Sequence, residues 1–117
     1  ITLVMQTTRQ KKVSRLLQKE LSSIFQKEIP VFLGNVIASV TIVRVSPDLA
    51  NANVFVSIFP VEDPKIALKI IQSNSRLFRK RLGERLRNKL RIIPIVEYFL
   101  DDSVAYAEEI DKLLKKE

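Results

Sequence analysis

The 117-residue chain carries 20 Lys+Arg against 13 Asp+Glu, a formal net charge of +7, and contains no His, Cys or Trp. A chain of this length is expected to form one domain and to bury roughly 65% of its unfolded surface; the 46% hydrophobic content suffices for a packed core. The missing residue types exclude a disulfide framework, a thiolate nucleophile, a Ser-His-Asp triad and imidazole or thiolate metal sites. The charge excess points to a polyanionic partner: nucleic acid, an acidic membrane or an acidic protein. No apolar run reaches transmembrane length, and Ile1–Val4 is too short for a signal-peptide core.

In chain order, Val13, Leu16, Leu17, Leu21, Ile24 and Phe25 recur at helical spacing and predict an amphipathic helix over Thr8–Lys27. Thr7 with Gln10 reads as a capping box, and Pro30 is expected beyond the helix end. Val36–Val45 is β-branched and apolar, as a buried strand is. Ser46-Pro47-Asp48 is turn chemistry, and Asn53–Phe59 reads as a second strand. The short connection makes these two strands antiparallel neighbours. Asp63-Pro64 opens another helix, with Asp at the cap and Pro where its missing N–H costs nothing. Its apolar face runs through Ile66, Ala67, Ile70, Ile71, Leu77, Phe78, Leu82 and Leu86. Ile92–Leu100 is expected as a third strand, with Pro94 favouring an edge or strand start. Asp101-Asp102-Ser103 would cap a last helix with Tyr106, Ile110, Leu113 and Leu114 inward. The order is α-β-β-α-β-α, with a long or broken middle helix.

The charge is unevenly placed. Lys65 to Arg91 holds ten basic residues and one acid, Glu84, a net +9 in 27 residues. Residues 92–117 are acidic, with seven carboxylates against three lysines. On a wheel at about 100° per residue, Lys69, Arg76, Lys80 and Arg87 fall within about 40° of one another, opposite Phe78. Arg81, Arg85 and Lys89 fall nearer the apolar side, where an unpaired charge is expensive. Either the helix breaks or these side chains snorkel at its border. Asn74-Ser75 is the natural break, because both residues favour turns and caps. A helix starting there would offer free N–H groups beside Arg76 and Arg79, a favourable place for phosphate. The candidate RNA-binding residues are therefore Arg9, Lys11, Lys12 and Arg15 on the first helix, with Lys69, Arg76, Arg79, Lys80, Arg81, Arg85, Arg87 and Lys89. The bland alternative is a solvated basic face without a partner. Phe25, Phe55, Phe59, Phe78, Tyr98 and Phe99 fall mostly at expected core positions, with Phe32 the exception available for stacking. Recognition of shape and phosphate rather than base sequence follows.

Other chemistry is thin. Asp101-Asp102 reads as a helix cap before a Mg²⁺ site, and Asp48 as a turn residue before a general base. Gly34 and Gly83 are isolated, so no phosphate-binding glycine loop exists. No catalysis, cofactor or metal is expected.

Three stretches carry a family resemblance. Val45-Ser46-Pro47-Asp48-Leu49-Ala50-Asn51-Ala52-Asn53-Val54 resembles a V-x-x-D-L-x-x-A-x-V strand–turn–strand signature. Leu90-Arg91-Ile92-Ile93-Pro94 followed by Asp101-Asp102-Ser103 is similar to an L-R…P…D-x-S run. Thr8-Arg9-Gln10 leading into Val13-Ser14-Arg15 and Leu21 is similar to a family N-terminal helix. Together they resemble ribosome-binding factor A, an assembly factor of the bacterial small ribosomal subunit. The resemblance implies an α+β, type-II KH-like domain over residues 6–114, α-β-β-α-(kink)-α-β with a C-terminal helix. Helices would pack on one face of a three-stranded sheet, and residues 1–5 and 115–117 would be flexible ends. The family kink is of the Ala-x-Gly type; Asn74-Ser75-Arg76 matches its position and lacks the glycine. Arg76, Arg79, Lys80, Arg81, Arg85 and Arg87 match the basic helix after it. The resemblance further implies a cytoplasmic, monomeric, non-catalytic factor that binds small-subunit ribosomal RNA in late maturation. It also implies a role in cold adaptation and release by a GTPase. The alternatives are a KH-like module for other RNA and a basic adaptor for an acidic protein, neither with a membrane or small-molecule partner.

Overall fold

The computed structural model describes residues 6–101, and the expected last helix, with Tyr106, Ile110, Leu113 and Leu114, lies outside them. Helix α1 spans Thr8–Leu33 and opens on the expected capping box. The Thr7 hydroxyl accepts from the Gln10 amide at 3.2 Å, and the Gln10 side chain accepts from the Thr7 amide at 2.8 Å. Helix α1 runs past Lys27 and takes Pro30 inside, where the sequence put the proline beyond the end. Proline removes one late amide bond, to the carbonyl of Gln26, which is exposed. Burial of Ile29 holds that last turn on the core, and Gly34, at φ 72°, closes it with its N–H on the Pro30 carbonyl.

Strand β1 (Ile37–Val45) pairs antiparallel with β2 (Asn51–Phe59), as the short connection required. Between Val40 and Ile42 the register shifts, leaving Thr41 as the extra residue of a bulge. The shift changes the alternation, so Val40, Val43 and Val45 all turn to the core side. The turn between the strands is a dense hydrogen-bond knot. The Ser46 hydroxyl donates to Asp48 Oδ1 at 2.6 Å, the Ala50 amide donates to the same oxygen, and the Asn51 amide donates to the Ser46 hydroxyl. These bonds offset the left-handed backbone of Leu49, at φ 62° without a glycine. The Ser46 hydroxyl and the Ala50 amide hold the Asp48 carboxyl below the usual carboxylate range. Asp48 is a turn residue.

Helices α2 (Pro64–Ser73) and α3 (Ser75–Leu86) cross to β3 (Ile95–Leu100), which pairs parallel with β2 and makes the sheet order β1-β2-β3. Asp63 caps α2 through its carboxylate on the Lys65 amide, with Pro64 at the first helical position. The helical segment breaks at Asn74, whose side chain donates to the Ile70 carbonyl at 2.8 Å. Strand β3 starts at Ile95 rather than Ile92, because Pro94 cannot donate to the ladder and stands just before it.

All helices among the described residues cover one sheet face. Phe78 has no exposed surface and lies 5.1 Å from the Phe25 ring, 5.9 Å from Tyr98 and 6.4 Å from Phe32. Phe32 is therefore committed to the core edge and is not the stacking exception the sequence offered. Phe59, by contrast, is 71% exposed and Phe99 36% exposed, both on the uncovered face with half-buried Phe55. The expectation that Phe55, Phe59 and Phe99 fall at core positions is thus corrected: strand alternation opposite buried Val54, Val56, Ile58 and Tyr98 sends them outward. Truncating Phe78 to Ala should cost about 3–5 kcal/mol in urea unfolding. A loss below about 1 kcal/mol would contradict this packing.

Candidate nucleic-acid interface

The cationic residues of α3 and its C-terminal end divide into three sets. Phe78, Leu82 and Leu86 recur every four residues and bury one stripe against α1 and the sheet. Arg81 and Arg85 flank that stripe, and both are half-buried. Arg81 Nε donates to Glu28 Oε1 at 3.3 Å, and Arg85 Nη1 donates to Glu20 Oε2 at 3.2 Å. Glu84 adds a second carboxylate to Arg81 at 3.5 Å. The earlier arginine, Arg81, pairs with the later acid, Glu28, and Arg85 with Glu20, so α1 and α3 run in opposite senses where they meet. These arginines lock α3 to α1. The helix both breaks, at Asn74, and pairs its border arginines; the sequence foresaw the first and not the partners.

Arg79 has a third task. Its Nη1 donates to the Pro94 carbonyl at 3.1 Å and its Nη2 to the Ile93 carbonyl at 3.3 Å. The guanidinium thus ties α3 to the segment entering β3 while the residue stays exposed. Arg76, Lys80 and Arg87 are exposed and make no ion pair among the described residues. With Gly83 they form one face at spacings of four, three and four. Arg76, Arg79, Lys80, Gly83 and Ile93 line an open notch on it. The break at Asn74 moves Lys69 onto α2, so the continuous stripe drawn from Lys69 to Arg87 is shortened to α3. Helix α3 begins at Ser75 with no side-chain cap bond.

A further cationic group surrounds the start of α1. Gln10, 3% exposed, donates from Nε2 to the Val45 carbonyl at 2.9 Å and fixes the start of α1 beside the β1–β2 turn. Arg9 and Arg91 then line one cleft with Asp48, Leu49, Leu90 and Ile92. Arg91 belongs to the basic run of the sequence, but only the tertiary contact of the α1 start with the turn brings it beside Arg9. Lys11, Lys12, Arg15 and Lys89 are exposed on the same two segments.

The uncovered sheet face has a different character. It exposes Ile37, Ile42, Phe59, Ile95 and Phe99, with Phe55 and Phe99 rings 5.5 Å apart. Its charged strand residues are Arg44 and Glu97, both registered on Asn53 of the central strand. Among the described residues no group of acids could hold a metal ion, and no helix is long and apolar enough to cross a membrane.

The geometry defines a small α+β domain with helices on one sheet face and a cationic stripe on its third helix. Known proteins share this fold. A family model described as ribosome-binding factor A matches residues 9–114. The chain is 47% identical over 112 residues to ribosome-binding factor A of Cytophaga hutchinsonii, covering 96% of this chain and 84% of that one. It is 42% identical over 111 residues to the Flavobacterium johnsoniae protein of the same name, covering 94% and 85%. The crystal structure of ribosome-binding factor A from Thermus thermophilus superimposes with a TM-score of 0.64 at 23% identity, over 78% of this chain and 94% of that one. A Thermus thermophilus ribosome-binding factor A model fitted into a cryo-EM map of its complex with the 30S subunit gives a TM-score of 0.61 at 26% identity, over 76% and 91%. The chain belongs to the ribosome-binding factor A family.

The division of arginines is measurable. Arg85→Ala leaves Glu20, whose side chain is 13% exposed, without its partner and should cost about 1–2 kcal/mol in denaturant unfolding. Arg76→Ala should stay within about 0.5 kcal/mol. Equal losses would refute the assignment of separate roles.

Proposed function

We propose that this chain binds the ribosomal RNA of the small ribosomal subunit as a non-catalytic assembly factor during late maturation, rRNA processing included. The observation that carries this is the stripe Arg76–Lys80–Arg87. It stays free of carboxylates among the described residues, while Arg81 and Arg85 on the same helix are neutralised by Glu28 and Glu20. Like charges held this close repel, and phosphates relieve that repulsion. The Thermus thermophilus relative fitted into the 30S complex supports the small subunit as the partner. Residues 6–114 act as one RNA-binding unit, with the kink at Asn74, Ser75 and Arg76 setting the direction of α3.

Docking is electrostatic. Arg76, Lys80 and Arg87 meet phosphates along α3, and Arg9, Lys11, Lys12, Arg15, Lys89 and Arg91 extend the contact around the start of α1. Lys69 on α2 adds to the flank. Arg79, Arg81 and Arg85 act mainly by holding α3 in place. By binding one RNA conformation better than another, the factor shifts the maturing subunit toward it. Action as a cytoplasmic monomer, a part in cold adaptation and release by a GTPase belong to this proposal.

Binding to purified small subunits should weaken with salt at a slope of about −5 in log K against log salt concentration, for about six phosphates met. Reversing Arg76, Lys80 and Arg87 to Glu should abolish binding while the unfolding midpoint stays near the parent value. A slope near zero, or binding that survives the reversal, would sink the proposal. An adaptor for an acidic protein would instead keep its complex in the presence of competing ribosomal RNA.

A further inference from the structure

The stripe contains one residue that the fold does not explain. Gly83 stands in the interior of α3, with Arg76 and Lys80 before it and Arg87 after it on the same face. A glycine there weakens the helix relative to alanine. Two ordinary reasons for that cost are absent. Among the described residues the only positive-φ glycine is Gly34, so the Gly83 backbone needs no special freedom. A Cβ built on Gly83 would meet nothing within 4 Å, so no neighbour requires its smallness.

Its surroundings are cationic. Gly83 lines the open notch with Arg76, Arg79, Lys80 and Ile93. One wall of that notch is fixed, because Arg79 grips the carbonyls of Ile93 and Pro94. Helix main chain without a side chain, in a cationic notch with a fixed wall, suits a bulky anionic chain that must come close.

We propose that Gly83 is where a sugar–phosphate backbone lies directly against α3, between the charges of Arg76, Lys80 and Arg87. This deepens the nucleic-acid reading above and rests on it. Without a Cβ, a ribose–phosphate unit reaches the helix surface and sits level with the cationic heads on either side. A methyl group holds the strand off by about the length of a carbon–carbon bond, and Coulomb attraction to all three charges weakens together.

The test uses the full chain with Gly83→Ala and Gly83→Leu, read by thermal unfolding and by binding to purified small ribosomal subunits with transfer RNA as competitor. Gly83→Ala should raise the melting temperature by roughly 2–6 °C, because the helix gains propensity without a clash. Its affinity should fall about fivefold, and that of Gly83→Leu further. Parent-like affinity in both variants overturns the inference, as does a lower melting temperature for Gly83→Ala, which would make the glycine a packing residue. The Arg76, Lys80 and Arg87 reversal serves as the internal reference. If it abolishes binding while Gly83→Leu binds normally, this inference alone fails; if it also binds normally, the reading beneath it fails.

Discussion

Helix α3 has to bury Phe78, Leu82 and Leu86 completely while carrying Arg76, Arg79, Lys80, Arg81 and Arg85 within the same twelve residues. Three turns of helix cannot keep every cation on the far side from such a stripe. The pairs Arg81–Glu28 and Arg85–Glu20 resolve the conflict, because they neutralise the cations that flank the core and align α3 against α1. Partly exposed ion pairs contribute little energy each. Their larger effect is directional. They fix the rotation of α3, and that rotation decides which cations remain unpaired.

The rotation in turn requires the break at Asn74. A straight helix from Pro64 to Leu86 would have to serve the β3 edge and α1 with one line of side chains. Splitting it lets α2 lie along β3, where Gln72 donates to the Tyr98 carbonyl at 3.0 Å, while α3 turns onto α1. The uncovered sheet face offers the obvious competitor for RNA, since Phe55 and Phe99 could stack on bases. It lacks the charge to hold a phosphate backbone, with Arg44 balanced by Glu97. The helix side has the charge.

Local chemistry was readable from the sequence wherever one residue type has one good use. Thr7 and Gln10, Asp63-Pro64, Ser46-Pro47-Asp48 and Asn74-Ser75 each marked a cap, turn or break that the structure contains. Element ends were less readable: α1 passes Pro30 because Ile29 holds the last turn, a tertiary effect that outweighs one lost amide bond. The candidate site was half readable. Charge density pointed to α3, and the wheel grouped Arg76, Lys80 and Arg87 with Lys69, which the break at Asn74 moves onto α2. The wheel could not say that Arg81 and Arg85 would find Glu28 and Glu20, or that Arg79 would turn to two backbone carbonyls. Those outcomes depend on which helix lies alongside.

The helix side of the domain, and not the open sheet face, is the proposed contact with ribosomal RNA. A photo-crosslinking residue placed at Lys80 in one variant and at Ser57, on the central strand's outer face, in another separates the two faces. Each variant is irradiated in complex with purified small subunits. Crosslinks to ribosomal RNA are expected from position 80 and none from position 57. Crosslinks from position 57 alone would contradict the proposed contact.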